Sequence, residues 1–213
     1  QKGVDFIICD HHLPAEEIPS AVAVLDPKRT DCNYPFDELS GCGVGFKLVQ
    51  AYAQKHGIPF REIEHLLDLL VVSIASDIVP LTGENRILAY YGLERLNRMP
   101  SSGLLSIIKI CGLERHNITI DDIVFKIGPR INAAGRMGQI ALAIELFLTD
   151  DSVRSVEVSR QLCELNRQRQ NVESEIYSQA ISMLPPGQPP EAIVLADESW
   201  HQGVVGIVAS RIA

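Results

Sequence analysis

The chain has 213 residues, 46% apolar and 22% charged, with a formal net charge of −8. That length holds one large domain or two small ones around a sizeable core, and the composition is that of an ordinary soluble globular protein. The acidic balance excludes a uniformly basic nucleic-acid coat but not a local basic groove, because the distribution of charge decides such binding.

No apolar run approaches the roughly 18 residues of a membrane-spanning helix, so no membrane partner is expected. Five cysteines (Cys9, Cys32, Cys42, Cys111, Cys163) are odd in number and show no C-x-x-C spacing. They read as reduced thiols in a cytosolic protein, which predicts a cytoplasmic location. The chain opens on Q-K-G-V-D-F-I-I without an initiator Met and reads as a cut through a larger protein, so absent targeting signals carry little weight.

From Val4 to Pro27 the pattern is strand, loop, strand: V-D-F-I-I-C, then A-V-A-V-L-D-P. Both runs are short, β-branched and apolar on both faces, which predicts a central parallel sheet covered by helices. The first run ends in I-I-C-D-H-H-L-P, placing Asp10, His11 and His12 at a strand's carboxyl end. Ligands bind at such ends in parallel α/β sheets. Carboxylate plus imidazole suits Mn²⁺, Fe²⁺ or Zn²⁺. The competing reading is that Asp10 caps the following turn and the histidines are merely exposed polar residues.

Residues 42 to about 150 read as successive helices. F-K-L-V-Q-A-Y-A-Q-K-H ends at Gly57, R-E-I-E-H-L-L-D-L-L-V-V-S-I-A-S covers 61–76, and R-I-L-A-Y-Y-G-L-E-R-L-N follows Asn85. Asp77, in S-I-A-S-D-I-V-P-L, is either a plain helix terminus or a further oxygen donor facing the D-H-H strand end. In F-K-I-G-P-R-I-N-A-A-G-R-M-G, Arg130, Asn132 and Arg136 crowd with glycines around one turn. Glycine permits close backbone approach and arginine forks bind phosphate oxygens, so phosphate contact is favoured over packing alone.

Residues 152–184 lack Gly and Pro and are polar around much of the circumference. They predict one helix of roughly 50 Å that bridges domains instead of filling a core. P-P-G-Q-P-P then breaks the chain, E-A-I-V-L-A-D starts a new strand, and a loop and helix follow.

The ordered set D-H-H-L-P, P-K-R-T-D-C-N-Y-P-F-D-E-L-S-G-C-G-V-G-F-K-L, S-D-I-V-P-L-T-G-E-N-R and G-P-R-I-N-A-A-G-R resembles the RecJ family of single-strand-specific 5′→3′ exonucleases, within the DHH phosphoesterase superfamily. W-H-Q-G-V-V-G-I-V-A-S-R at 200–211 is similar to the opening of that family's C-terminal DHH-associated domain. The resemblance implies an α/β fold. It comprises the C-terminal part of a DHH-type parallel-sheet phosphoesterase domain (1–151), a long interdomain helix (152–184), and a linker with the start of a second α/β domain (185–213).

It also implies roles. His11 and Asp77 would be metal ligands, Asp10 would orient the histidine pair, and His12 would lie beside the scissile phosphate. Arg130, Asn132, Arg136 and, more weakly, Arg29 would hold the nucleic-acid backbone. Two divalent ions, Mn²⁺ or Mg²⁺, would drive hydrolysis in a repair and recombination exonuclease. The implied partners are single-stranded DNA, a single-strand-binding protein and a helicase. The family's upstream aspartates and later C-terminal motifs are not in the chain, which implies a fragment inactive alone. Two rivals remain: another phosphoesterase of the superfamily, cleaving oligonucleotides or pyrophosphate, and a non-catalytic replication scaffold.

Overall fold

The computed structural model describes residues 3–114, 117–185 and 192–213. Strands β1 (Ile7–Cys9) and β2 (Ala23–Leu25) pair in parallel, with Ile7 opposite Ala23 and Cys9 opposite Leu25. The Asp10 N–H extends the ladder by one bond to the Leu25 carbonyl, 2.9 Å. Asp10 and Asp26 therefore stand at the carboxyl ends of adjacent strands. Helix α1 (Gly41–Lys55) approaches β1. The expected cover on both faces is not found: Phe6, Ile7 and Val22 are each more than half exposed. Apolar patterning marks a surface suited to burial, and no element among the described residues supplies the second layer.

The remainder is helical. α1 starts at Gly41 because the Ser40 hydroxyl accepts the Gly43 N–H, and it ends before Gly57 at φ +66°. The single helix expected over 61–76 is two 3₁₀ turns, Phe60–Glu62 and Glu64–Leu66, followed by α2 (Leu67–Ser76). Ile63, at φ −115°, interrupts the regular helix between them. Next come α3 (Gly83–Arg98) and α4 (Ser102–Ile110). A short α5 (Ile120–Asp122), opened by a Thr119–Asp122 capping box, runs through a π turn at Ile123–Ile127 into α6 (Gly128–Arg136). The Gly/Arg-rich stretch thus lies inside the helical region, as its sequence predicts. α7 (Ile140–Leu148), α8 (Ser152–Met183) and α9 (Gln202–Ile212) complete the order.

α2 runs through the main core, where Leu70, Val71 and Ile74 meet Leu104, Ile123 and Leu162 from other elements. The α4–α7 crossing is so close that a Cβ on Gly103 would lie 1.9 Å from the Leu146 carbonyl oxygen. Both helices would have to separate to admit it. Gly103→Ala is expected to destabilise the protein by about 3 kcal/mol, measured as a shift in the urea midpoint.

α8 is long and unbroken, as its sequence predicts, and Asp151 caps it by accepting the N–H groups of Val153 and Arg154. It is not a bare strut. Val158, Leu162 and Leu165 belong to the main core, against α4, α6 and α7. Ile176 and Ala180 belong to a second cluster with Val204 and Val208 of α9. A helix with low average hydrophobicity still buries one narrow stripe when that stripe is continuous. Residues 192–197 form no strand, and Val194 is 93% exposed. A strand needs a ladder partner, and none lies beside this segment among the described residues. Residues 186–191, most of the expected Pro-rich linker and Glu191 of the expected strand, lie outside the described residues.

Candidate functional site

At the end of β1 one carboxylate oxygen organises the whole D-H-H turn. Asp10 Oδ1 accepts the N–H of His11 at 2.7 Å, the N–H of His12 at 3.2 Å and the ring Nδ1–H of His12 at 2.7 Å. The His12 ring first, and then the two main-chain N–H groups, hold the Asp10 carboxyl down to about 2. A carboxylate acceptor fixes the proton on His12 Nδ1 and leaves its Nε2 facing solvent. Asp10 therefore caps the turn and orients the His12 ring. It does not bond the His11 ring.

The His11 ring is mostly covered. Gly41, at the N-terminus of α1, comes so close that a Cβ there would lie 3.5 Å from His11 Cδ2. The partial positive charge of a helix N-terminus favours anions beside that ring. On the other side, at the C-terminal end of α2, Asp77 places Oδ2 3.9 Å from His11 Nε2. Ser73 donates its hydroxyl to the same Asp77 oxygen at 3.2 Å. The fold thus brings together two of the residues singled out in the sequence, 66 positions apart. Among the described residues, no group of three or more His, Cys, Asp or Glu side chains converges to hold a metal.

The chain leaves Asp77 through Ile78, whose φ is +54°. A β-branched residue in the left-handed region costs about 1–3 kcal/mol and persists only where the surroundings enforce it. One restraint on this segment comes from T-G-E-N-R, where Asn85 donates to the Pro80 carbonyl at 3.0 Å, and its neighbours hold a second loop. Gly83, at φ +47°, packs under the Phe36 ring; Glu84 accepts the Tyr34 hydroxyl at 2.9 Å; Asn85 donates to the Glu38 carbonyl at 2.6 Å. Three successive residues at the start of α3 thus clamp the loop that leads into α1, whose first residue, Gly41, packs beside His11.

The arginines are less convergent than their spacing suggests. On α6, Arg130 lies about 160° around the helix from Asn132. Arg130 donates to the Lys126 carbonyl on its own helical run, and its Nε is buried without a partner. Asn132 is exposed. Arg136 donates to the Gly203 carbonyl of α9 at 3.1 Å, and a Cβ on Gly203 would lie 2.3 Å from the Arg136 carbonyl oxygen. Arg29 forks onto Asp31 at 2.9 and 2.6 Å and donates to the Val24 carbonyl at 2.8 Å. It ties the loop after β2 back to its strand.

Residues 1–74 match the model of the DHH family, N-terminal domain. The chain is 41% identical over 213 residues to the single-stranded-DNA-specific exonuclease RecJ of Bacillus subtilis, covering 100% of the chain and 26% of that protein. The structure of RecJ in complex with Mn²⁺ from Thermus thermophilus superposes with a TM-score of 0.85 at 33% identity, covering 99% of this chain and 31% of that one. The Mg²⁺ complex of the same protein gives a TM-score of 0.82 at 34% identity over the same shares. The chain spans about a quarter to two-fifths of the length of the curated relatives it matches. By sequence and by fold, the chain is similar over its whole length to RecJ exonucleases, and residues 1–74 match the N-terminal domain model of the DHH family.

Proposed function

We propose that these residues work as the corresponding segment of a metal-dependent exonuclease that degrades single-stranded DNA from the 5′ end, in repair and recombination. The observation that carries this reading is the meeting of His11 Nε2 and Asp77 Oδ2 at 3.9 Å beside the Asp10–His12 pair. An imidazole nitrogen and a carboxylate oxygen suit Mn²⁺ and tolerate Mg²⁺, so the residues fit part of a divalent site. Two donors are fewer than such ions take, and the remaining ligands of a two-ion site belong to other parts of the exonuclease. A bound divalent ion supplies charge against the scissile phosphate and lowers the pKa of a water.

The chain's own residues do the rest. His11 and Asp77 hold the cation. Asp10 holds the His12 ring so that its Nε2 can hydrogen-bond a phosphate oxygen. Asn132 and Arg136, on the exposed side of α6, contact the strand's backbone. Arg29 and Arg130, already committed to internal acceptors, contribute less. Retention of His11, His12 and Asp77 weighs against a non-catalytic scaffold. The domain layout we adopt is 1–151, 152–184 and 185–213, in a cytoplasmic protein, with a single-strand-binding protein and a helicase as partners.

The test is digestion by the complete exonuclease of 5′-labelled single-stranded and duplex oligonucleotides with Mn²⁺. Loss of the single strand from the 5′ end, with the duplex spared, is expected; equal attack on both would sink the reading. In the same protein, Arg136→Ala should weaken single-strand binding and reduce its salt slope by about one. An unchanged slope with a lower melting temperature would mean that Arg136 serves only to hold Gly203.

A further inference from the structure

We infer that Asn85 is a positioning residue for the His11–Asp77 pair, setting the distance between the two side chains by cross-linking the loops that carry them. This rests on the reading above, that the pair shares one cation. Asn85 is fully buried at the start of α3, away from both residues. Its Nδ2 donates two hydrogen bonds, to the Glu38 carbonyl at 2.6 Å and to the Pro80 carbonyl at 3.0 Å. Pro80 lies three residues after Asp77. Glu38 lies three residues before Gly41, whose backbone backs the His11 ring. One amide therefore ties the main chain on the Asp77 side to the main chain on the His11 side.

The chemistry allows little else at this position. Both acceptors are carbonyls, so two donors on one atom are needed, which an amide NH₂ provides and a carboxylate does not. The opposite atom, Oδ1, is buried with no partner among the described residues. A buried acceptor left unpaired is unfavourable, and a flipped amide would set oxygen against two carbonyls. Asn is thus retained for its donors, at the expense of its oxygen. The segment it restrains includes Ile78 at φ +54°, a conformation that relaxes when its tethers are cut. Relaxation there moves Asp77 directly. Tyr34–Glu84 and Phe36–Gly83 hold only the other loop, so Asn85 alone of the three clamp residues reaches both.

The experiment compares Mn²⁺ binding, by the EPR signal of free Mn²⁺, in the complete exonuclease and in its Asn85→Ala and Asn85→Leu variants. Leucine keeps the volume and removes both the donors and the orphan oxygen. The Mn²⁺ Kd is expected to rise about tenfold in each, as for other residues that act on metal ligands through a neighbour. Digestion at limiting Mn²⁺ should fall with it and recover at saturating Mn²⁺, while single-strand affinity in EDTA stays unchanged. A folded variant with unaltered Mn²⁺ affinity overturns the inference. So does misfolding of both variants, judged by circular dichroism, which would assign Asn85 to folding alone. His11→Ala serves as the control: if it too binds Mn²⁺ normally, the shared cation site itself is wrong. If only the Asn85 variants are normal, the positioning role alone falls.

Discussion

His11→Ala in the complete exonuclease is expected to reduce single-strand digestion by more than about a hundredfold while leaving single-strand binding in EDTA intact. The ring lies beside Gly41 at the N-terminus of α1 and Asp77 at the end of α2, so truncation removes the imidazole nitrogen 3.9 Å from Asp77 Oδ2. Alanine adds no bulk, and the His11 N–H bond to Asp10 survives because it is a main-chain bond. The turn should therefore keep its shape. Chemistry and grip separate because backbone contacts along the strand supply most single-strand affinity, and those lie elsewhere. Measuring turnover with Mn²⁺ and binding without it distinguishes the two. Parallel loss of both would show that His11 is a structural histidine and that the cation site lies elsewhere.

Why this pair was legible from sequence, and its supports were not, follows from the physics. Asp10, His11 and His12 end an apolar run with groups that are costly to bury, and Asp77 ends an apolar helix in the same way. Polar groups at the ends of buried elements are visible locally, without knowledge of the fold. The parallel pairing of β1 and β2 was legible for the same reason. Asn85 was not, because its acceptors are carbonyls 47 and 5 positions away, and main-chain acceptors carry no sequence signature. Arg29 and Arg130 have internal acceptors that are equally invisible in the sequence. Arginine among glycines reads as phosphate recognition at Arg130, yet a guanidinium is satisfied by a helix carbonyl there and by the Asp31 carboxylate at Arg29. Hydrophobicity reports what can be covered, and Phe6 and Val22 are exposed among the described residues. Likewise 192–197 has strand composition, but a strand exists only with its neighbour.

Inserting two glycines after Asn171 is expected to cut processive digestion of long single strands by about a hundredfold or more, and to affect very short oligonucleotides less. Two added residues turn everything downstream on α8 by about 200° and advance it about 3 Å. The N-terminal half would keep Val158, Leu162 and Leu165 in the main core. The C-terminal half would swing Ile176 and Ala180, with the α9 residues packed on them, to the opposite side. Glu173 makes the connection rigid: it accepts Arg169 at 2.6 Å along α8 and Arg211 of α9 at 2.8 Å, while Arg211 lies 4.3 Å from the Tyr177 ring centroid. The Glu173–Arg211 pair lies wholly downstream of the insertion and turns with the helix, so α9 would be carried round with it, while the Arg169–Glu173 bond, which spans the insertion, would be lost. The bond from Arg136 to the Gly203 carbonyl would then break, and with it the contact that seats α9 on α6 beside the proposed strand-binding face. A long strand needs both bodies in register, whereas a very short one needs mainly the His11–Asp77 site. Equal loss on both substrates would indicate general misfolding, and no loss on either would show that α8 is a passive tether.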